Sequence, residues 1–375
     1  MFDIMTIRLK QIRIMEVIMS LQGLQEIIKN SKYDAVLLTG LENPVAANNL
    51  KYITGYTGSF GFSVVTAEKQ YFISDFRYRD QVQIECPDFI SVEIEGSFIK
   101  SIESVLEKEN VKTLGFDQKI RFSEYSLYQK MEVELVPLDN VIETLRISKQ
   151  DKEIALLKKA CEITDQALKY VIDNVDLVGK KERDVEVMIK SKMMELGSER
   201  TWDRFIVASG PRGAMPHGMA SDKIIQTGEF VTFDIGCFYQ GYSSDLTRTV
   251  AIGDVDPKMV EIYNVVYEAQ TKAVELAKAG ITGKELDSVC RDIITKHGYG
   301  EFFKHGTGHG LGLDVHEAPR VSQANDKPLE LGACVTIEPG IYIKDLGGVR
   351  IEDDVILTET GCIVLNEFPK KLIRL

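Results

Sequence analysis

One glycine-rich run of this 375-residue chain is the most informative about its fold, namely His305-Gly306-Thr307-Gly308-His309-Gly310-Leu311-Gly312-Leu313-Asp314-Val315-His316-Glu317. Three of the five histidines in the chain fall within this run, and glycines separate them. Glycine lets the backbone approach a ligand closely, and neutral imidazole is a good metal ligand or proton donor. One histidine alone is most often a partly buried hydrogen-bonding residue. Three histidines in a glycine-rich run indicate a binding or catalytic site.

Two aspartates upstream of this run lie eleven residues apart, at Asp234 and Asp245, with Gly241 between them. The segment predicts a hairpin, which would place both carboxylates on neighbouring strands and close to one another. Apolar residues such as Phe233 and Ile235 flank Asp234, so the pair is expected near a core. A surface hairpin with two solvated aspartates is the alternative that this segment alone leaves open.

Two glutamates follow the histidine run, at Glu338 and Glu352. The segments 336–338 and 349–352 have the alternation of strands, which predicts that both glutamates point to one face. Arg350 is two residues from Glu352 and points the same way, so it can support a ligand carboxylate. A cross-strand ion pair is the alternative for Arg350.

Together these segments supply five metal-ligand side chains, namely Asp234, Asp245, His309, Glu338 and Glu352. Four carboxylates in one core would repel one another strongly unless cations neutralised them. Four carboxylates and one imidazole suit a pair of divalent ions. The ligand set favours Mn²⁺, with Co²⁺ and Zn²⁺ as alternatives.

Composition and charge exclude several classes of protein. Apolar residues make up 44% and charged residues 27%, as in ordinary globular proteins. A net charge of −12 argues against a nucleic-acid partner, and no apolar run reaches the length of a membrane span. The six cysteines are widely spaced, which indicates reduced thiols and a cytoplasmic protein.

The order of predicted elements indicates two domains after an uncertain leader at residues 1–19. Residues 20–143 alternate helix and strand and predict an α/β domain. Residues 148–375 predict a second domain, with Ser148 as the cap of its first helix. Within it, the order helix, helix, strands occurs twice, and the similar tetrapeptides 181–184 and 284–287 open the second helix of each half. This indicates an internal pseudo-repeat.

These motifs resemble the metallopeptidase family of pita-bread fold that contains methionine aminopeptidase, Xaa-Pro aminopeptidase and Xaa-Pro dipeptidase. The run 305–317 resembles the proline-peptidase branch, and the segments 52–59 and 74–78 resemble the creatinase-type N-terminal domain of that branch. The resemblance covers the chain from about residue 20. It implies an α+β fold, with a small α/β N-terminal domain before a C-terminal pita-bread domain of pseudo-twofold symmetry.

The resemblance also implies roles for individual residues. Asp234 would bind one ion, Asp245 and Glu352 would bridge two ions, and His309 and Glu338 would complete the second. We expect three residues to be catalytic, namely His217, His316 and Glu338. We expect His305 and Arg350 to support the site from just outside.

The implied reaction is hydrolysis of the bond before proline at a dinuclear metal site. The segment 52–59 favours an Xaa-Pro aminopeptidase, and an Xaa-Pro dipeptidase is the alternative with the same site. A metal-free binding protein on the same scaffold would be expected to have lost ligands, yet all five positions are filled. The N-terminal domain disfavours a methionine aminopeptidase. The expected partners are peptides with proline second and, by resemblance, a second copy of the chain.

Overall fold

The computed structural model describes residues 20–41 and 44–375. The chain divides into two compact units, Met1–Arg146 and Ile147–Leu375. The predicted leader at residues 1–19 lies outside the described residues. Within the described ranges, no helix combines the length and the apolar character that a membrane span requires.

The first unit is built on a six-stranded sheet with the order β4-β3-β2-β1-β5-β6. Its strands are β1 (Ala35–Thr39), β2 (Phe62–Thr66), β3 (Gln70–Ser74), β4 (Ile90–Glu93), β5 (Thr113–Asp117) and β6 (Glu134–Leu138). Its helices are α1 (20–29), α2 (Pro44–Thr54), α3 (Arg79–Glu85), α4 (Phe98–Lys108), α5 (Phe122–Tyr128) and α6 (Val141–Leu145).

Helices cover both faces of this sheet. Along β1, Val36 and Leu38 belong to one core cluster, whereas Ala35 and Leu37 belong to another. Successive strand residues point to opposite faces, so a strand buried throughout needs packing on both sides. The helices α1, α2, α3 and α6 contribute to the first cluster, and α4 and α5 to the second. The unit is therefore a three-layer α/β structure.

The first half of the second unit packs two helices on a three-stranded sheet of order β12-β9-β8. The helices are α7 (Asp151–Asn174) and α8 (Glu182–Glu195). The strands are β7 (Arg200–Thr201), β8 (Ile206–Ser209), β9 (Phe230–Ile235), β10 (Cys237–Tyr239), β11 (Tyr242–Ser243) and β12 (Leu246–Ala251). The short strands β7, β10 and β11 form a separate sheet.

The second half repeats this arrangement with α9 (Pro257–Leu276) and α10 (Gly283–Lys296). Its strands are β13 (Gly308–Gly310), β14 (Glu317–Val321), β15 (Cys334–Ile337), β16 (Gly340–Ile343), β17 (Gly347–Arg350), β18 (Asp353–Leu357) and β19 (Cys362–Val364). Five of them form a sheet of order β14-β13-β15-β18-β19, and β16 pairs with β17. Each pair of helices shares a hydrophobic core with the strands of its own half.

The structure differs in two details from what the sequence predicts. Gln150, rather than Ser148, caps α7, and its backbone N–H donates to Glu153 in a capping box. The hydroxyl of Ser148 instead donates to the carbonyl of Leu331. The two similar tetrapeptides also differ in position, because Lys181 is the N-cap of α8 whereas Lys284 is the second residue of α10. The repeat is thus expressed in the order of elements rather than in these four residues.

Candidate metal centre

The β9–β12 hairpin carries the two aspartates of the first half. Asp234 lies within β9, and Asp245 immediately precedes β12, where Leu246 pairs with Ile235. The backbone N–H of Asp245 donates to Asp354 Oδ2 at 2.9 Å. The Oδ1 atom of Asp245 is buried and has no hydrogen-bond partner among the described residues. A buried acceptor without a partner is costly, so this oxygen fits the role of a ligand to a cation.

His309 lies in the middle of β13, and the flanking glycines are required by close packing. A Cβ atom on Gly308 would meet the carbonyl oxygen of Thr336 at 1.9 Å, and one on Gly310 would meet that of Ala318 at 2.1 Å. The N–H of His309 donates to Thr336 Oγ1 at 3.1 Å. The alternation of glycine and histidine therefore lets β13 run between its neighbours while it presents the imidazole.

The two glutamates lie at strand ends rather than inside strands, which differs from the expected alternation. Glu338 follows β15, which stops before Pro339 because proline cannot donate to a strand ladder. Glu352 lies between β17 and β18 and accepts a hydrogen bond from Thr247 Oγ1 at 2.6 Å. Both glutamates nevertheless line the same cavity as the two aspartates.

These side chains converge around His309. Donor atoms of Asp245, His309 and Glu352 all lie within 4.8 Å of one another. His309 Nε2 is 3.7 Å from Asp245 Oδ2 and 3.4 Å from Glu338 Oε1. Asp234 lines the same cavity. The structure thus brings all five predicted ligands to one place.

The protonation of His309 fits a bound cation. Its Nδ1 atom contacts the carbonyl oxygen of Gly310 at 3.1 Å, and a carbonyl can only accept, so Nδ1 carries the proton. Burial, followed by the charge of His316, lowers the pKa of His309 to about 4. At neutral pH, Nε2 is therefore an unprotonated lone pair that faces carboxylate oxygens. Lone pairs that face one another repel unless a proton or a cation lies between them.

The carboxylates show the same need for positive charge. Burial, followed by the charges of Glu352 and Asp234, raises the pKa of Asp245 well above its usual range. Burial and the charge of Glu338 do the same for Glu352. Burial raises the pKa of Glu338 to about 8, although Arg350 opposes the shift. A site of this composition fits divalent cations, which would remove the repulsion.

Arg350 is the buried cation of the site, and it pairs with Asp234. Its Nη2 atom is 2.5 Å from Asp234 Oδ2, and Nη1 donates to the Tyr342 hydroxyl at 2.7 Å. The Tyr342 hydroxyl is 3.0 Å from Nε2 of His305, whose Nδ1 atom contacts the carbonyl of Gly306. The expected supporting residues, His305 and Arg350, are therefore joined through Tyr342, a residue that sequence analysis missed.

A cavity of about 1130 Å³ opens onto these residues, and His217 and His316 both line it. The rings of His316 and His309 are 4.3 Å apart between centroids. Burial lowers the pKa of His316, so its imidazole is neutral at physiological pH. Sequence analysis missed four basic residues that also line the cavity, namely Arg204, Lys304, Arg320 and Lys344. They lie far apart in the chain, and only the fold brings them together.

Comparisons with known proteins agree with this geometry. The Xaa-Pro dipeptidase of Pyrococcus horikoshii is 42% identical over 352 residues, which cover 93% of this chain and 97% of that protein. The solved structure of the Xaa-Pro dipeptidase from Bacillus anthracis has a TM-score of 0.92 at 40% identity and covers 96% of this chain and 100% of that one. The X-Pro aminopeptidase from Thermotoga maritima has a TM-score of 0.87 at 35% identity, covering 94% and 100%.

Two family models match the chain, one in each compact unit. The Creatinase/Prolidase N-terminal domain matches residues 21–148, and metallopeptidase family M24 matches residues 155–359. The predicted fold class, a small α/β domain before a pita-bread domain, is confirmed. The chain belongs to metallopeptidase family M24.

Proposed function

We propose that this chain hydrolyses Xaa-Pro bonds at a centre of two divalent cations. The proposed ligands are Asp234, Asp245, His309, Glu338 and Glu352. The observation that carries this proposal is the unprotonated Nε2 atom of His309, which faces the oxygens of Asp245 and Glu338 at 3.7 and 3.4 Å. The relatives named Xaa-Pro dipeptidase and X-Pro aminopeptidase support the choice of substrate.

Bound divalent cations would lower the pKa of a water molecule and polarise the substrate carbonyl. Glu338 takes the proton from the attacking water and delivers it to the proline nitrogen as the bond breaks. His316, neutral and on the cavity wall, donates its N–H to the carbonyl oxygen as negative charge develops there. His217 contacts the substrate from the same cavity. Arg350 holds Asp234 in place and compensates its charge.

The Xaa-Pro bond is a tertiary amide without an N–H group. A site that binds the carbonyl oxygen therefore keeps its contact with this bond. A peptidase that binds the N–H group loses a hydrogen bond there. This argument holds for both a dipeptidase and an aminopeptidase.

The basic residues of the cavity favour the dipeptidase over the aminopeptidase that the N-terminal segment 52–59 favoured. In a dipeptide the proline carries a free carboxylate, which a cationic wall would neutralise. Arg204, Lys304, Arg320 and Lys344 line the cavity and would supply this positive charge, outnumbering the acids Glu301 and Glu317 that line it outside the metal centre. A longer peptide would present a neutral amide at the same place and would gain less from it.

Substrate length tests the proposal directly. We expect the Mn²⁺-loaded protein to cleave Xaa-Pro faster than its C-terminal amide, and to cleave Xaa-Pro-Yaa-Zaa slowest. Faster cleavage of the tetrapeptide would favour the aminopeptidase. Cleavage of none of these peptides, together with cleavage of a control peptide without proline, would contradict the proposed activity.

Three further parts of the proposal come from the sequence and the resemblance. They are Mn²⁺ as the ion, a cytoplasmic location and a homodimer. All six cysteines have free thiols, five of them buried, which supports a reducing compartment. Elemental analysis of the purified protein tests the ion, and light scattering tests the dimer.

A further inference from the structure

The helices α8 and α10 occupy equivalent places in the two halves. Each carries a buried acidic residue that accepts a hydrogen bond from the backbone just before a strand. Glu186 Oε1 accepts the backbone N–H of Phe205 at 2.9 Å. Asp287 Oδ1 accepts the backbone N–H of Thr307 at 2.9 Å. Phe205 immediately precedes β8, and Thr307 immediately precedes β13. The two contacts are therefore structural equivalents.

A basic residue follows each acid by one helical turn. It pairs with the acid and also donates to a backbone carbonyl. Lys190 lies 2.9 Å from Glu186, and its Nζ atom donates to the carbonyl of Asp203 at 2.6 Å. Arg291 lies 2.8 Å from Asp287, and its Nη1 atom donates to the carbonyl of Phe303 at 2.9 Å. We call Glu186 with Lys190 the first bracket, and Asp287 with Arg291 the second bracket.

The second bracket makes more contacts than the first. The Asp287 side chain is fully buried and also accepts from Thr307 Oγ1 at 3.0 Å and from Gln323 Nε2 at 2.7 Å. Arg291 Nη2 donates to the carbonyl of His305 at 2.9 Å. A carboxylate that accepts from a guanidinium, an amide, a hydroxyl and a backbone N–H is fixed in orientation.

The second bracket is joined to a proposed ligand by a direct backbone hydrogen bond, whereas the first leads to one only through the strand pairing of Ile206, the residue after Phe205, with Asp234. The carbonyl of Thr307 accepts the backbone N–H of Glu338 at 2.7 Å. Asp287 therefore accepts from the N–H group of Thr307, and the carbonyl group of Thr307 accepts from Glu338. Thr307 links the two acidic residues in this way. In the first half, the equivalent carbonyl of Phe205 accepts the N–H of Ala220, which is not a proposed ligand.

We propose that Asp287, with Arg291, is a positioning residue for Glu338 and for the segment 305–309 that carries His309. This inference rests on the proposed function. Neither residue of the bracket lines the cavity, so both act through Thr307 and His305. A ligand oxygen displaced by a few tenths of an ångström binds its ion less tightly, and a bracket that holds the local backbone prevents such a shift.

The two brackets provide a matched pair of variants, Asp287→Asn and Glu186→Gln. Each keeps the shape of the side chain and removes one buried charge. The metal-free forms of both should unfold at a lower temperature than wild type. Titration calorimetry with Mn²⁺ should show about tenfold weaker binding for Asp287→Asn, the lower end for loss of a support behind a ligand. Glu186→Gln should stay within about twofold of wild type, since Phe205 makes no hydrogen bond to a proposed ligand and the neighbouring strand pairing holds Asp234 without it.

Two further measurements separate positioning from a general loss of stability. The visible absorption spectrum of bound Co²⁺ should change in Asp287→Asn and stay unchanged in Glu186→Gln. The kcat of Asp287→Asn for Xaa-Pro should fall by about tenfold with little change in KM. If Asp287→Asn does not fold, Arg291→Lys should give the same changes at about threefold, because lysine keeps the charge but cannot reach both carbonyls.

The outcomes distinguish this inference from the proposed function. Equal Mn²⁺ affinity and equal Co²⁺ spectra for Asp287→Asn (or Arg291→Lys), Glu186→Gln and wild type would overturn the positioning role and leave the proposed function in place. A wild-type protein that binds no Mn²⁺ and no Co²⁺ would overturn both. Weaker binding by Asp287→Asn and Glu186→Gln alike would also overturn the positioning role, because the effect would then come from any lost bracket.

Discussion

The two halves of the second unit share an order of elements but contribute different chemistry to one cavity. The first half supplies Asp234 and Asp245 from a single hairpin. The second half supplies His309 from β13, and Glu338 and Glu352 from the ends of other strands. The first half thus brings two carboxylates that need compensation, and the second half brings most of the ligands from a wider span of chain.

The halves also differ in how their acidic groups are compensated. Glu352 of the second half accepts a hydrogen bond from Thr247 of the first, and Arg350 of the second half pairs with Asp234 of the first. Asp245 Oδ1 has no such partner among the described residues. A repeated fold can therefore build a charged site when each half provides the groups that the other lacks, and the unpaired oxygen of Asp245 fits the role of a cation ligand proposed for it.

Asp245→Asn should have the largest effect. If the proposed centre of two ions is right, the variant loses a bridging ligand, and elemental analysis should find fewer than two Mn²⁺ ions per chain. Peptidase activity should then fall by about a thousandfold or more, because the proposed ions would activate the water. The metal-free variant should be more stable to urea by about 1 to 3 kcal/mol, since the asparagine amide can donate to the neighbouring carboxylates, whereas Oδ1 of Asp245 has no hydrogen-bond partner among the described residues.

The matched variant in the other half is Glu352→Gln. It should lose metal and activity to the same extent, but it should not gain stability, because Thr247 already satisfies an oxygen of Glu352. Retention of two tightly held ions by either variant would refute the bridging role. A stability gain in both would show that the halves do not differ in this respect.

Arg350→Met should give the next largest effect, on the stability of the metal-free protein. It removes the cation that joins the halves and leaves the partly buried Asp234 without its partner, which should cost about 3 kcal/mol of unfolding free energy, the lower end for breaking a buried pair. Lys169→Met is the control, because its pair with Asp173 is exposed and should contribute less than about 1 kcal/mol. Equal urea midpoints for the two variants would contradict this account of Arg350.

Much of the fold and the set of candidate ligands follow from local sequence. Glycines beside His309, the strands on either side of the segment 234–245 and the helices α7 to α10 are local features, and they occur in the predicted order, although β10 and β11 interrupt the predicted hairpin. The ligand roles and the domain limits of 20–143 and 148–375 stay predictions.

Contacts between distant segments could not be predicted in this way. Asp287 and Thr307 are twenty residues apart, and Tyr342 meets His305 across thirty-seven. Their patterns are those of an ordinary helix and an ordinary strand, so no local signal marks them. The prediction that Ser148 caps α7 is wrong for a related reason. The Ser148 hydroxyl donates to the carbonyl of Leu331, which is distant in the sequence.

The smallest expected effect compares the first helix of each half. In α7, Asp165 accepts the backbone N–H groups of Glu367 and Phe368, whereas Gln270 of α9 donates to Asp353. Only the first of these two buried groups can titrate. Burial raises the pKa of Asp165 from 3.8 to about 6. Its contribution to stability is therefore present below about pH 4 and is lost as the pH rises through about 6.

Asp165→Asn should remove this dependence. Between pH 5 and 7, wild type should lose about 1 kcal/mol more unfolding free energy than Asp165→Asn, at about 1.4 kcal/mol per pKa unit. Urea titrations of the metal-free proteins at both pH values measure the difference.

Gln270→Glu is the converse variant, because it adds a buried carboxyl to α9. It should make the stability of the second half depend on pH in the same direction, because burial favours the neutral acid. A constant difference between wild type and Asp165→Asn from pH 5 to 7 would show that Asp165 titrates no differently in the folded chain than in the unfolded one.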